Sequence, residues 1–203
     1  MRRHRVMLVL AGAAAVWWAA PPAVMAAPAG GAVARAGTWR TAIEVPGLGP
    51  LNKGGNAELP SVSCGSAGNC AAGGTYLDSS GHQQAFVVSE QNGTWRKAIE
   101  VPGSGMLNKG GAASVNSVSC ASAGNCAAGG YYEHSSVNLQ AFVVSERNGT
   151  WGTARQVPGS GALNAGGSAR VESVSCASAG NCAAGGTYTD GFGRIQAFVV
   201  SQA

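Results

Sequence analysis

Two sets of residues in this chain can do chemistry, and both recur at a step of 56 residues. Cys64, Cys120 and Cys176 are each followed six positions later by a second cysteine, Cys70, Cys126 and Cys182. The first of each pair ends one expected strand and the second begins the next. This sets both sulfurs across the mouth of a hairpin, where Cβ atoms reach the ~3.8 Å a disulfide needs. Zinc sites use gaps of two to four residues with His or Cys partners. Here the histidines beyond the amino end, His82 and His134, stand at unrelated loop positions. Redox catalysis favours Cys-x-x-Cys, which is absent. The pairs therefore read as three local disulfides, with no metal and no cofactor.

The second set is a tyrosine, a polar residue two positions on and a glutamine at fixed offset. It occurs as Tyr76, Asp78 and Gln84, as Tyr132, His134 and Gln140, and as Tyr188, Asp190 and Gln196. A ring face beside amide and carboxylate groups suits a neutral, hydroxyl-rich ligand such as a glycan. The plain alternative is a solvated loop whose drift between copies costs nothing. Trp39, Trp95 and Trp151 keep the same 56-residue step and read as sheet packing ahead of sugar platforms. Asn69, Asn125 and Asn181 read as turn residues, as do the Leu-Asn-x-Gly-Gly links at Leu51, Leu107 and Leu163. Any acid-base pair would have to span repeats, because Asp78, His134 and Asp190 occupy one shared position. No Gly-x-Ser-x-Gly, His-Glu-x-x-His or phosphate-cradling loop is present. The expectation is a non-catalytic domain.

These residues are carried by one unit written three times. Ser117–Gly130 and Ser173–Gly186 are identical, SVSCASAGNCAAGG, and Ser61–Gly74 differs only at Gly65. AFVVS recurs at 85, 141 and 197. Repeats at such a period mean stacked supersecondary units. Each unit shows strand signals at Val115–Cys120, Cys126–Tyr132 and Leu139–Ser145. Asn148-Gly149 then makes the hairpin turn into a fourth strand, Thr150–Val157. No helical periodicity is visible. The predicted class is all-β: three four-stranded antiparallel units over residues 37–203, arranged like β-propeller blades. The alternative is a single-chain pseudo-threefold body, a β-prism or β-trefoil.

Ser145-Glu146-Arg147-Asn148-Gly149-Thr150-Trp151, repeated at Ser89–Trp95, resembles the Asp-box hairpin of sialidase-type propeller repeats. It is one residue shorter and lacks the Asp. The Ser-Cys…Gly-Asn-Cys units resemble Gly- and Ala-rich repeats of secreted actinobacterial proteins, over about 165 residues. Sialidase-like propellers use an arginine cluster that this sequence lacks, so their hydrolase activity is not carried over. What the resemblance implies is a secreted β-repeat protein with no assigned chemistry.

The ends of the chain fit export and closure. Residues 1–26 read as a signal peptide: a basic MRRHR, a 15-residue apolar stretch too short to span a bilayer, then small residues before Ala27. The Arg2-Arg3 pair leaves general and twin-arginine export both open. Residues 27–36 are a short linker. After cleavage the chain has no membrane segment. It holds ten basic against nine acidic residues, which leaves nucleic-acid binding no electrostatic footing. Gly37-Thr38-Trp39 opens on a fourth strand, and the chain stops after a third, so the first strand can complete the last sheet. Three units are also half of a six-bladed ring, which makes a homodimer the expected assembly if the fold is propeller-like. Two functions remain: a multivalent glycan-binding (lectin-like) module, or a structural or protein-docking module of the cell surface.

Overall fold

The computed structural model describes residues 37–135 and 137–202. The expected signal peptide and linker lie outside the described residues. The chain divides into two units, Met1–Arg40 and Thr41–Ala203, and the second carries the whole repeat architecture.

Each repeat opens on a single helical turn that the sequence pattern did not announce: α1 (Leu48–Leu51), α2 (Ser104–Leu107) and α3 (Ser160–Leu163). A glycine at φ 76–81°, Gly47, Gly103 or Gly159, turns the chain into it. Four residues are too few for any apolar periodicity to register. Three long antiparallel strands follow in each unit. They are β1 (Ala57–Ser66), β2 (Asn69–Leu77) and β3 (Gln83–Gln91) in the first, then β6 (Ala113–Ser122), β7 (Asn125–Ser135) and β8 (Asn138–Arg147) in the second. The third has β11 (Ala169–Ser178), β12 (Asn181–Thr189) and β13 (Ile195–Ser201).

The expected fourth strand is broken into two pieces in the first two units. These are β4 (Thr94–Trp95) with β5 (Ile99–Glu100), and β9 (Thr150–Trp151) with β10 (Arg155–Gln156). Asn92-Gly93 and Asn148-Gly149, all at positive φ, make the tight turns that sequence predicts. Both pieces pair with the same strand, β3 in the first unit and β8 in the second, and between them the chain leaves that ladder. Gly152 N–H still donates to Ser145 O (2.9 Å), but Ala154 N–H donates to Pro102 O of the preceding link (2.8 Å). The third sheet has three strands, β11-β12-β13. Residues 37–45 form no strand.

The architecture is therefore all-β, three antiparallel sheets stacked in a row. β1 packs on β6 and β6 on β11. The row is open at both ends. Val62 on the first sheet is 59% exposed and Val199 on the third is 89% exposed. This corrects both the propeller-like ring and the self-closed threefold body, because among the described residues neither end has a sheet to meet. One apolar core lies between the first and second sheets, around Val87, Val115, Phe142 and Trp151. Another lies between the second and third, around Ala141, Val171, Val174 and Phe198.

The invariant Gly-Gly pair explains why the sheets stack so closely. A Cβ on Gly73 would stand 2.6 Å from Val115 Cγ1, and one on Gly129 2.7 Å from Val171 Cγ1. The first glycine is the hole into which the next sheet inserts a valine. A Cβ on Gly74, Gly130 or Gly186 would collide with the backbone of the facing strand, at Glu58, Ser114 or Arg170. The register shifts beside those facing residues, so the second glycine serves the bulge.

Candidate functional site

All three cysteine pairs are closed: Cys64–Cys70, Cys120–Cys126 and Cys176–Cys182, with S–S of 2.04–2.08 Å. Each pair is a direct cross-strand partnership in the first hairpin of its unit. No group of three His, Cys, Asp or Glu residues among the described residues is placed to hold a metal ion.

The Tyr, polar and Gln positions do converge at one edge of each sheet. Tyr76 faces Gln84 across β2 and β3, Tyr132 faces Gln140, and Tyr188 faces Gln196. The tyrosine rings, however, point inward. Tyr76 and Tyr132 are each only 3% exposed, and Tyr188 is half-buried. Tyr76 packs near Phe86 and its hydroxyl donates to Glu100 Oε2 at 3.3 Å. Burial, then the neighbouring Glu100 charge, pushes the Tyr76 phenol far above its ordinary value. Burial alone raises that of Tyr132.

The acidic residues form the loops. Asp78 Oδ1 accepts from Ser80 N–H (2.8 Å) and His82 N–H (3.0 Å), while Oδ2 accepts from Gln84 Nε2 (2.9 Å). Burial alone would raise this carboxyl, but those hydrogen bonds outweigh it and hold Asp78 below its usual range. Asp190 repeats the arrangement with Phe192 N–H, Arg194 N–H, Arg194 Nε and Gln196 Nε2. Led by the Arg194 backbone bond, these donors lower its carboxyl too. In the second unit His134 is exposed and the hairpin runs on to a Ser135–Asn138 pairing. Gln140 there donates to Asn138 Oδ1 (2.6 Å) and accepts from Gln156 Nε2 (3.0 Å). The aspartates bend their loops, and the glutamines tie those loops to the sheet.

Asn69 and Asn125 perform the turn duty expected of them. Each side-chain amide bonds its own hairpin tip, and its Oδ1 accepts from Asn92 N–H or Asn148 N–H in the Asn-Gly turn. The tryptophans differ by copy. Trp151 is buried and Nε1 donates to Ser89 Oγ at 3.0 Å, Trp95 is half-buried, and Trp39 is 98% exposed.

Two arrangements escaped the sequence reading. The first is a ladder between sheets, in which Val118 N–H and Cys120 N–H donate to Ser61 and Ser63 hydroxyls of the preceding sheet. Val174 and Cys176 do the same to Ser117 and Ser119, all at 2.9–3.0 Å. The invariant Ser-Val-Ser-Cys doublet was the available signal: its hydroxyls satisfy the free edge of the next sheet. The second is the loop Asp190–Arg194, where an 84%-exposed Phe192 carries the Arg194 guanidinium 4.8 Å from its ring centroid. Asp190 holds that guanidinium at 3.0 Å.

Among the described residues Glu146 is the one carboxylate locked between sheets, 2% exposed. Ser89 Oγ donates to its Oε1 at 2.6 Å. Burial raises its carboxyl above the ordinary range and the Ser89 bond only partly offsets that. Between the ordinary and the raised value, the folded chain holds a proton that the unfolded chain has released. The Glu146 contribution to stability therefore falls as pH rises through that window and is flat above it. Gln202 occupies the same position one repeat on and donates to Ser145 Oγ at 3.1 Å. Glu146→Gln is expected to raise the urea midpoint at pH 7–8 and to gain less over wild type as pH approaches 4. A constant difference across pH would contradict the assignment.

A groove of about 550 Å³ opens between the second and third sheets, lined by Val143, Ser145, Pro158, Ala184 and Gln202 among others. Its lining is mixed, with Arg147 and Arg155 beside the valines and alanines. No protein-family model matches this chain, and no curated protein matches it in sequence.

Proposed function

We propose that this chain is an exported, non-catalytic structural module that works by docking to protein through its sheet faces, at the cell surface. One observation carries the reading. Ala85, Val87 and Ser89 are buried in the first unit, whereas their copies Ala197, Val199 and Ser201 in the third are exposed. A sheet face with the composition of an interior, left open to solvent, is an interaction surface. Three disulfides and the absence of a helix long and apolar enough to cross a membrane, among the described residues, fit an oxidising, extracellular setting. The inward rings and self-satisfied carboxylates favour this reading over three equivalent glycan sites.

A photo-cross-linking residue placed at 199 in producing cells tests it, with position 106 as control, since Met106 is exposed but lies on a link. Protein adducts at 199 and not at 106 are expected. Equal labelling at both, or none at 199, overturns the proposal.

Phe192 favours a second reading, glycan binding at the third loop alone: an exposed ring flanked by a fixed Asp–Arg pair can stack on a sugar. Array retention should then fall about tenfold or more in Phe192→Ala. A blank array, or retention indifferent to that change, removes this reading.

A further inference from the structure

We propose that the partner of the open third-sheet face is a second copy of this chain docked head to tail, its first sheet stacking on β12 and β13 and its Thr41–Pro46 segment adding to the free edge of β13. This rests on the docking reading above and names the partner.

The argument is continuity. The chain already makes this interface twice within itself, and its backbone and serine contacts recur at the repeat step. Val101 N–H donates to Ala85 O and Val157 N–H to Ala141 O, both at 2.9 Å. One more step puts Val45 N–H of the second copy on Ala197 O. Gln83 N–H donates to Gly111 O and Leu139 N–H to Gly167 O; the next is Ile195 N–H on Gly55 O of the second copy. In the serine ladder, Ser173 and Ser175, exposed here, would receive Val62 N–H and Cys64 N–H. Ser89 links Glu146 and Trp151, so Ser201 would link Glu90 and Trp95.

The incoming surface is already in position. Pro46 O accepts from Ala98 N–H at 2.7 Å, as Pro102 O accepts from Ala154 N–H at 2.8 Å. Thr41–Pro46 thus lies on the first sheet as Lys97–Pro102 lies on the second. Ile99 and Glu100 pair with Val87 and Phe86, and Arg155 and Gln156 with Val143 and Phe142. Ile43 and Glu44 have no such partner strand, and Val199 and Phe198 have none on β13. The segment cannot serve both ends of its own chain, because it lies two sheets away from β13.

Shape agrees with the hydrogen bonds. Val115 fills the hole at Gly73 and Val171 the hole at Gly129. Their copy Leu59 is 40% exposed. The matching hole, Gly185, is open: a Cβ there meets nothing nearer than Phe198 O at 3.6 Å. Trp39 precedes Ile43 as Trp151 precedes Arg155. The same step carries Trp39 of the second copy to Ser145, in the 550 Å³ groove. One contact is not reproduced: Asn116 Nδ2 donates to Val171 O at 2.8 Å, and Glu172 in its place cannot donate. Such a contact joins two different faces, so it closes a ring or propagates as a filament.

Head-to-tail pairing makes a demand that face-to-face pairing does not. Val62→Asp spoils one end and Val199→Asp the other, each at an exposed site. Far-UV circular dichroism and an absence of free thiols confirm that both fold. In light scattering and sedimentation, wild type is expected as a dimer or larger at micromolar concentration, and each variant alone as a monomer. An equimolar mixture of the two should form a 1:1 dimer, because one good head meets one good tail. Trp39→Ala should weaken wild-type association at least tenfold. A wild-type monomer at 100 µM, a single variant that still dimerises, or a mixture that stays monomeric would overturn the proposal. Cross-links from position 199 to a different protein would then still support docking while excluding self-assembly.

Discussion

Reducing all three disulfides is expected to cost the folded repeat unit about 6 kcal/mol, roughly 2 kcal/mol for each short loop closed. Each bridge joins residues only six apart, so no single one is worth much. Their sum is still large against the 5–15 kcal/mol by which typical domains are stable. The chain has 32 glycines, which widen the unfolded ensemble and raise the entropy that folding must overcome. With a urea dependence near 2 kcal/mol/M, each lost bridge should lower the midpoint by about 1 M. The pairs are not equivalent. Cys126 is buried in the core between the first two sheets, whereas Cys64 on the open end is exposed. Cys120→Ser with Cys126→Ser should therefore cost more than the same change at Cys64 and Cys70, since polar hydroxyls then enter an apolar core. Equal midpoints in oxidised and reduced urea titrations would show that stacking alone holds the fold.

The repeat, its strands and its cysteine pairing were legible because each depends on neighbours in sequence. Asn148-Gly149 specifies its turn through backbone conformation alone, and Cys120 and Cys126 meet across one hairpin. What failed depends on distant partners. A period of two places Ala127 and Ala128 on opposite faces of β7, but it does not say which sheet covers either face. The words AFVVS at 85 and 197 are identical, yet the first is sealed by the second sheet and the second is open. Only position in the row distinguishes them. The same limit hid the tyrosines: the register puts Tyr76 and Gln84 on one face, and what buries the Tyr76 ring there is Phe86 and Glu100, which the local pattern does not name. The fourth strand, Thr150–Val157, carries only one local sign of a break, Gly152. Its break is imposed by Ala154 reaching back to Pro102 in another repeat.

The glycine holes give the second large effect, and they separate folding from assembly. Gly129→Ala places a methyl group 2.7 Å from Val171 Cγ1, 3.0 Å from Val171 Cβ and 3.2 Å from Val174 Cγ2. Both valines are buried between the second and third sheets. They cannot retreat without opening that core, and overpacking of this kind costs about 1–3 kcal/mol. Gly185→Ala is the same change in the same 14-residue word, but its Cβ meets only Phe198 O at 3.6 Å and Val199 Cγ1 at 3.8 Å, ordinary contacts. Alanine is also a better strand residue than glycine by about 0.5–1 kcal/mol. In the isolated chain, thermal and urea unfolding should rank Gly185→Ala at or above wild type and Gly129→Ala well below it. If both lose stability equally, the third sheet has a covered face after all and the open row is wrong. If Gly185→Ala unfolds like wild type yet associates less, its hole is filled by another molecule. Leu59 is the side chain whose repeat equivalents, Val115 and Val171, already fill that hole twice.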